Sequence, residues 1–125
     1  MTANYKMVKA VLQEIQGAME RLISTGETYT IYVASTGLGE AEQMELLTAL
    51  GQGDIQIHYT ETDQPVEWYE TSFHGVWVGT FKNIRDEASV VTIEVCYYPS
   101  VAGSYKEDIQ EGIESMGQWI SAADL

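Results

Sequence analysis

Few side chains in this sequence are equipped for chemistry. Two histidines, His58 and His74, one cysteine, Cys96, and a surplus of carboxylates make up the inventory. Glu70, His74 and Glu94 form the most interesting set: two carboxylates inside apolar segments and a histidine between two apolar runs. If the segments carrying Glu70 and Glu94 are neighbouring strands, the carboxylates share a face and one pKa rises, the starting point for an acid–base pair. A solvated outer sheet face is the simpler reading and the favoured one. Cys96 with a histidine has the residue types of a nucleophilic pair. A lone strand cysteine is more often a small packed residue.

Metal and cofactor chemistry finds little support. The sequence holds no C-x-x-C, no H-E-x-x-H and no acidic calcium loop. An iron–sulfur cluster takes four thiolates or a histidine-substituted set, and one thiol is present. His58, alternating onto the polar side of its segment, reads as a solvated histidine. "GLGEAE" and "GQGD" carry glycines but neither phosphate-binding pattern, and their acidic neighbours repel phosphate. No catalytic, metal or cofactor-binding residue is assigned, and no cofactor is expected.

The elements that would position these residues follow from periodicity. Residues 5–23 place Tyr5, Val8, Val11, Leu12, Ile15, Met19, Leu22 and Ile23 on one helical stripe, with Gly26 as a stop. Residues 28–34 alternate as a strand. A short helix over about 40–50 follows, with Met44, Leu47 and Leu50 inward and Gly51 ending it. Four further strands come next: one around Ile55, Ile57 and Tyr59, then 66–73, 75–82 and 89–98, with "KNIRDEAS" as a polar turn. Short connections favour an antiparallel meander. The last helix starts at Ser104, whose spacing to Glu107 is that of a capping box. Ile109, Ile113, Met116 and Ile120 form its buried stripe, and Glu107, Asp108, Glu111 and Glu114 make its outer face acidic. The expected fold is α+β: an about five-stranded, largely antiparallel sheet with three helices packed mainly on one face, forming one domain over residues 1–125.

Composition narrows the partners. Nineteen acidic against six basic residues give a formal charge of −13. This argues against nucleic acid, which needs clustered Lys and Arg, and against anionic membranes. A basic partner, or simple solubility, remains compatible with it. No apolar run approaches the roughly 18 residues of a membrane helix, and Met1-Thr2-Ala3-Asn4 opens no apolar leader core. With a single cysteine, a cytoplasmic location is expected. Aromatics are the more unusual feature: Tyr32, Tyr59, Trp68, Tyr69, Trp77, Tyr97 and Tyr98 all fall in expected strands. Alternation sends some to each face, and both cross-strand packing and an interface fit them.

"TGLGEAEQMELLTALGQGDIQ", "YETSFHGVWVG" and "IEVCYYP", in that order, resemble the C-terminal domain of the HupH/HyaF hydrogenase expression and formation proteins. Gly39 and Glu40 match a Gly-acidic helix start; Leu50, Gly51 and Gly53 match a Leu-Gly-x-Gly. Glu70, Thr71, Phe73, Gly75, Val76 and Trp77 match the most specific phrase, Glu-Thr-x-Phe-x-Gly-Val-Trp. Ile93, Glu94, Val95 and Pro99 match an Ile-Glu-Val before proline, and Glu107, Asp108, Ile109, Glu111 and Gly112 match the last helix. His74 stands where the pattern has proline, and Val78 where a second tryptophan is common. The resemblance implies a non-enzymatic accessory role in assembling a [NiFe] uptake hydrogenase. The implied partner is the iron–sulfur small-subunit precursor or another maturation protein. Glu70, Phe73, His74, Gly75, Trp77 and Glu94 are then the candidate partner-binding residues, with an aromatic sheet surface around Trp77. Two alternatives stand beside this: a small ligand-binding or enzymatic domain with a pocket near Glu70, His74 and Glu94, and a structural homodimer.

Overall fold

The computed structural model describes residues 5–60, 64–85 and 87–123. Met1 to Asn4, the stretch expected to hold no leader core, and Asp86 of the polar turn lie outside them. The described chain runs α1 (Tyr5–Thr25), β1 (Tyr29–Tyr32), a 3₁₀ turn (Val33–Ser35), α2 (Glu40–Leu50), β2 (Gln56–Tyr59), β3 (Val66–Glu70), β4 (Val76–Lys82), β5 (Ala88–Val95), a second 3₁₀ turn (Ser100–Ala102) and α3 (Lys106–Ala122). The five strands form one sheet in the order β1-β5-β4-β3-β2, and every neighbouring pair is antiparallel. The α+β class and the antiparallel meander therefore stand as expected.

Directly paired residues in a sheet point to the same side, so the register sorts the side chains into two faces. Ile31, Ile93 and Val78 make one row, and Val76 and Val95 flank it. Ile31, Val76, Ile93 and Val95 join Val8, Val11, Ile15, Ala18 and Leu22 of α1 and Leu46 and Leu50 of α2 in the main core. The stripe of α1 is buried as its spacing requires, except at its ends, where Tyr5 and Ile23 are exposed. In α2 the buried residues are Leu46 and Leu50, and Met44 turns outward.

The opposite face carries a second, smaller core. Val66, Trp68, Trp77 and Cys96 are buried there, with Ile57, Phe81 and Ala102 packed against them. Trp68 lies opposite Gly79, and its ring meets Phe81 edge-on at a centroid distance of 6.2 Å. A β-carbon on Gly79 would fall 2.9 Å from the Trp68 ring and 2.7 Å from the Thr92 hydroxyl, so the missing side chain is the space this core uses. The Trp68 indole N–H donates to Glu94 Oε2 at 2.8 Å, and the Thr92 hydroxyl donates to the same oxygen at 2.8 Å.

The last helix departs from expectation. It begins at Lys106 with Tyr105 as N-cap and no side-chain capping bond, so the Ser104–Glu107 box does not form; the helix starts too late for Ser104 to cap it. None of its residues is buried. Ile109, Ile113, Met116, Trp119 and Ile120 are 53–76% exposed. The helix-bearing face is already filled by α1 and α2. The chain leaving β5 crosses to the other side, where Cys96 and Ala102 pack beside Trp77. Only two of the three helices are therefore packed on the sheet, and the apolar stripe of α3 faces outward.

Candidate functional site

The β3–β4 connection is a tight, over-determined loop. The Thr71 amide donates to the Val76 carbonyl at 2.8 Å, and the Val76 amide to the Phe73 carbonyl at 3.1 Å. The Thr71 hydroxyl donates to the Phe73 carbonyl and accepts from the Phe73 amide, both at 3.1 Å. Gly75 turns the chain at φ +87°, a conformation that a side chain opposes. Its amide donates to Glu70 Oε2 at 3.0 Å, and its carbonyl accepts from the Cys96 amide at 3.0 Å. Glu70, almost fully buried, is thus the loop's internal brace.

A second loop is strapped onto the first. After α2, the Gly53 amide donates to the Glu70 carbonyl at 2.7 Å, and the Ser72 amide donates to the Leu50 carbonyl at 3.0 Å. The Leu50-Gly51-x-Gly53 and Glu70-Thr71-x-Phe73-x-Gly75 phrases, far apart in sequence, are consequently one structural unit.

This unit closes one end of an apolar groove. The groove holds about 580 Å³ between α1 and the loop pair, lined by Leu12, Ile15, Met19, Ile23, Leu50, Phe73 and Val76. Phe73 is half exposed at its rim, and Ile23 is 77% exposed. Lys9, Gln13, Gln16 and Glu20 supply a polar border. A smaller hollow of about 310 Å³ adjoins it, shared by Met19, Leu22, Ile23, Glu70, His74, Gly75 and Tyr97.

Four of the six candidate residues come together here: Glu70, Phe73, His74 and Gly75. His74 projects into solvent with its side chain 96% exposed, and Nδ1 lies 3.5 Å from Glu70 Oε1. With His74 open to solvent the pair contributes little to stability, although Glu70 itself is nearly buried. Trp77 and Glu94 line neither the groove nor the hollow. Trp77 is 3% exposed, and its indole N–H donates to the Cys96 carbonyl at 3.2 Å. Trp77 is core, so no aromatic sheet surface forms around it. Glu70, Trp77 and Glu94 do share one cross-strand row, but Trp77 stands between the two carboxylates. Glu70 is engaged by Gly75 and Glu94 by Trp68 and Thr92, so the acid–base pair has no geometry.

The remaining reactive groups are similarly occupied. Burial, reinforced by the Glu94 charge, pushes the Cys96 thiol up to about 12, far from a reactive thiolate. His58 Nδ1 lies 3.3 Å from Glu67 Oε1, and Lys82 Nζ lies 3.1 Å from the same oxygen. The Lys82 hydrogen bond holds the Glu67 carboxyl below its usual range. Among the described residues, no group of three or more His, Cys, Asp or Glu side chains could hold a metal ion. None of the described helices is long and apolar enough to cross a membrane.

Leu12, Met19, Ile23 and Leu50, expected only as inward stripe residues of the first two helices, also line the groove. The available signal was the width of the α1 stripe, which continues to Ile23 beyond the part that the sheet covers.

Comparison with known proteins matches this arrangement to one family. No curated protein sequence matches the chain. Among solved structures, hydrogenase expression protein HupH from Thiobacillus denitrificans ATCC 25259 is similar, with a TM-score of 0.83 and 23% identity. The match covers 92% of this chain and 95% of that one, and at this identity it speaks for the fold. Residues 6–123 match the family described as HupH hydrogenase expression protein, C-terminal conserved region. The match takes in both strapped loops and all three helices, and the chain belongs to that family.

Proposed function

We propose that this protein is a non-catalytic assembly factor for a [NiFe] uptake hydrogenase. It binds the iron–sulfur small-subunit precursor, or a fellow maturation protein, through the apolar groove between α1 and the Phe73 loop. The observation that carries the reading is the groove itself, about 580 Å³ with Phe73 at its rim, in a member of a hydrogenase expression family. Concave apolar surfaces with a polar border suit the capture of an apolar segment of another chain. The formal charge of −13 steers basic regions of such a partner toward the surface.

Binding asks little of the chemistry-bearing residues. Glu70, Thr71 and Gly75 hold the loop in shape, and Phe73 and His74 meet the partner. Purification of a tagged copy from a hydrogenase-producing cell should recover the small-subunit precursor or another accessory protein. The Phe73→Asp variant should lose that recovery while keeping its fold. Recovery of no hydrogenase subunit or accessory protein under several growth conditions would sink the idea.

A further inference from the structure

Helix α3 is an amphipathic helix whose apolar stripe is buried by none of the described residues. Its apolar residues Ile109, Ile113, Met116 and Ile120 recur at intervals of four, three and four, the spacing of a two-helix seam. All four are more than half exposed. At 17 residues α3 is little longer than the roughly 12–15 at which isolated helices are marginal in water, and Gly112 and Gly117 weaken it further relative to alanine. The helix therefore calls for a partner to hold it.

The positions beside the seam indicate what that partner is. In the heptad that the seam defines, Gln110, Gly112, Gly117 and Trp119 flank it, and none is charged. A β-carbon at Gly112 or Gly117 would meet nothing within 4 Å in this chain, so both leave room for close backbone approach. Glu107, Asp108, Glu111 and Glu114 lie away from the seam and in the first half of the helix. The second half, from Gly117 to Ala122, carries no charge. An antiparallel copy would thus set each acidic half beside an uncharged one and oppose the helix dipoles favourably. A basic partner helix would find no acidic residue along the seam itself.

We propose that α3 pairs antiparallel with α3 of a second copy of this chain, with Ile113 and Met116 at the centre. The area is sufficient. The five exposed apolar side chains offer roughly 700 Å² per copy, so covering most of it on both copies reaches about the 1,000 Å² of a specific interface. The interface is separate from the Phe73 groove and leaves that groove open for another protein.

Light scattering or sedimentation of the full purified chain across a concentration series tests this. The expected result is a dimer that dissociates on dilution. The Ile113→Asp, Met116→Asp double variant should weaken it by at least about 100-fold. Near-UV circular dichroism from the Trp68 and Trp77 core should remain, since neither substituted residue is buried. A mixture of Gln110→Cys and Gly117→Cys copies should form the mixed disulfide in preference to either homodisulfide, as antiparallel pairing requires. A wild-type chain monomeric at every concentration, a dimer indifferent to the double variant, or no preferred mixed disulfide each overturns the proposal.

Discussion

Gly53 sits so close to Thr71 that a β-carbon at position 53 would lie 2.7 Å from the Thr71 carbonyl oxygen. The same added carbon would fall 3.0 Å from the Glu70 carbonyl, which already accepts the Gly53 amide. Backbone on both sides leaves no flexible side chain to move aside. Gly53→Ala should therefore destabilise the protein by about 1–3 kcal/mol, the usual range for overpacking. A urea unfolding midpoint compared with wild type measures it.

Trp77 and Phe73 belong to one sequence phrase but should behave oppositely. Trp77 is buried and its N–H is bonded to the Cys96 carbonyl, so Trp77→Ala should cost about 3–5 kcal/mol. Phe73 stands half exposed at the groove, so Phe73→Ala should cost no more than about 1 kcal/mol. Partner recovery should fall for Phe73→Ala at wild-type stability. Parallel unfolding curves and pull-downs on the two variants separate the roles.

Glu70 acts through its oxygen on the Gly75 amide. Glu70→Ala strands that part-buried donor and should cost about 1–3 kcal/mol. Glu70→Gln keeps an acceptor and should stay closer to wild type. Chemical denaturation of both variants checks the ordering, and equal losses would contradict it.

The Cys96 thiol gives a pH dependence of defined sign. Burial, then the Glu94 charge, raises it to about 12 in the folded chain, against about 8.5 for a free thiol. Above about pH 8.5 the unfolded chain releases this proton and the folded chain keeps it, so folding is favoured less as pH rises. This contribution is fully present below about pH 8.5 and is lost progressively up to about pH 12, with a slope of at most about 1.4 kcal/mol per pH unit. Urea midpoints at about pH 8 and about pH 10 should differ more for wild type than for Cys96→Ser. A thiol reagent should also label Cys96 only as the protein unfolds.

Much of the architecture was legible because periodicity reports directly on burial. The α1 stripe and the alternation of β5 each carry enough apolar residues to fix their inward faces. The site was legible in part. The Glu-Thr-x-Phe-x-Gly phrase marked the loop, but sequence alone does not tell an exposed Phe73 from a buried Trp77, because both lie in short apolar runs. Nor does it show Trp77 standing between Glu70 and Glu94, which depends on register. The stripe of α3 was read correctly as apolar and wrongly as buried. Amphipathicity says that a face will seek cover, not that its own chain supplies it.

The strand order also has a kinetic consequence. Strands β2 to β5 follow one another in sequence and in space, whereas β1 joins at the far side of β5. Ile31 finds Ile93, 62 residues further on, while the five-residue Thr71–Gly75 loop brings Glu70 to Val76 almost at once. The longer closure costs about 2 kcal/mol more in chain entropy. On this entropy difference the meander is expected to form first and β1 with α1 to dock late. Ile31→Val should accelerate unfolding and leave the folding rate nearly unchanged, whereas Val78→Ala, in the central hairpin, should slow folding.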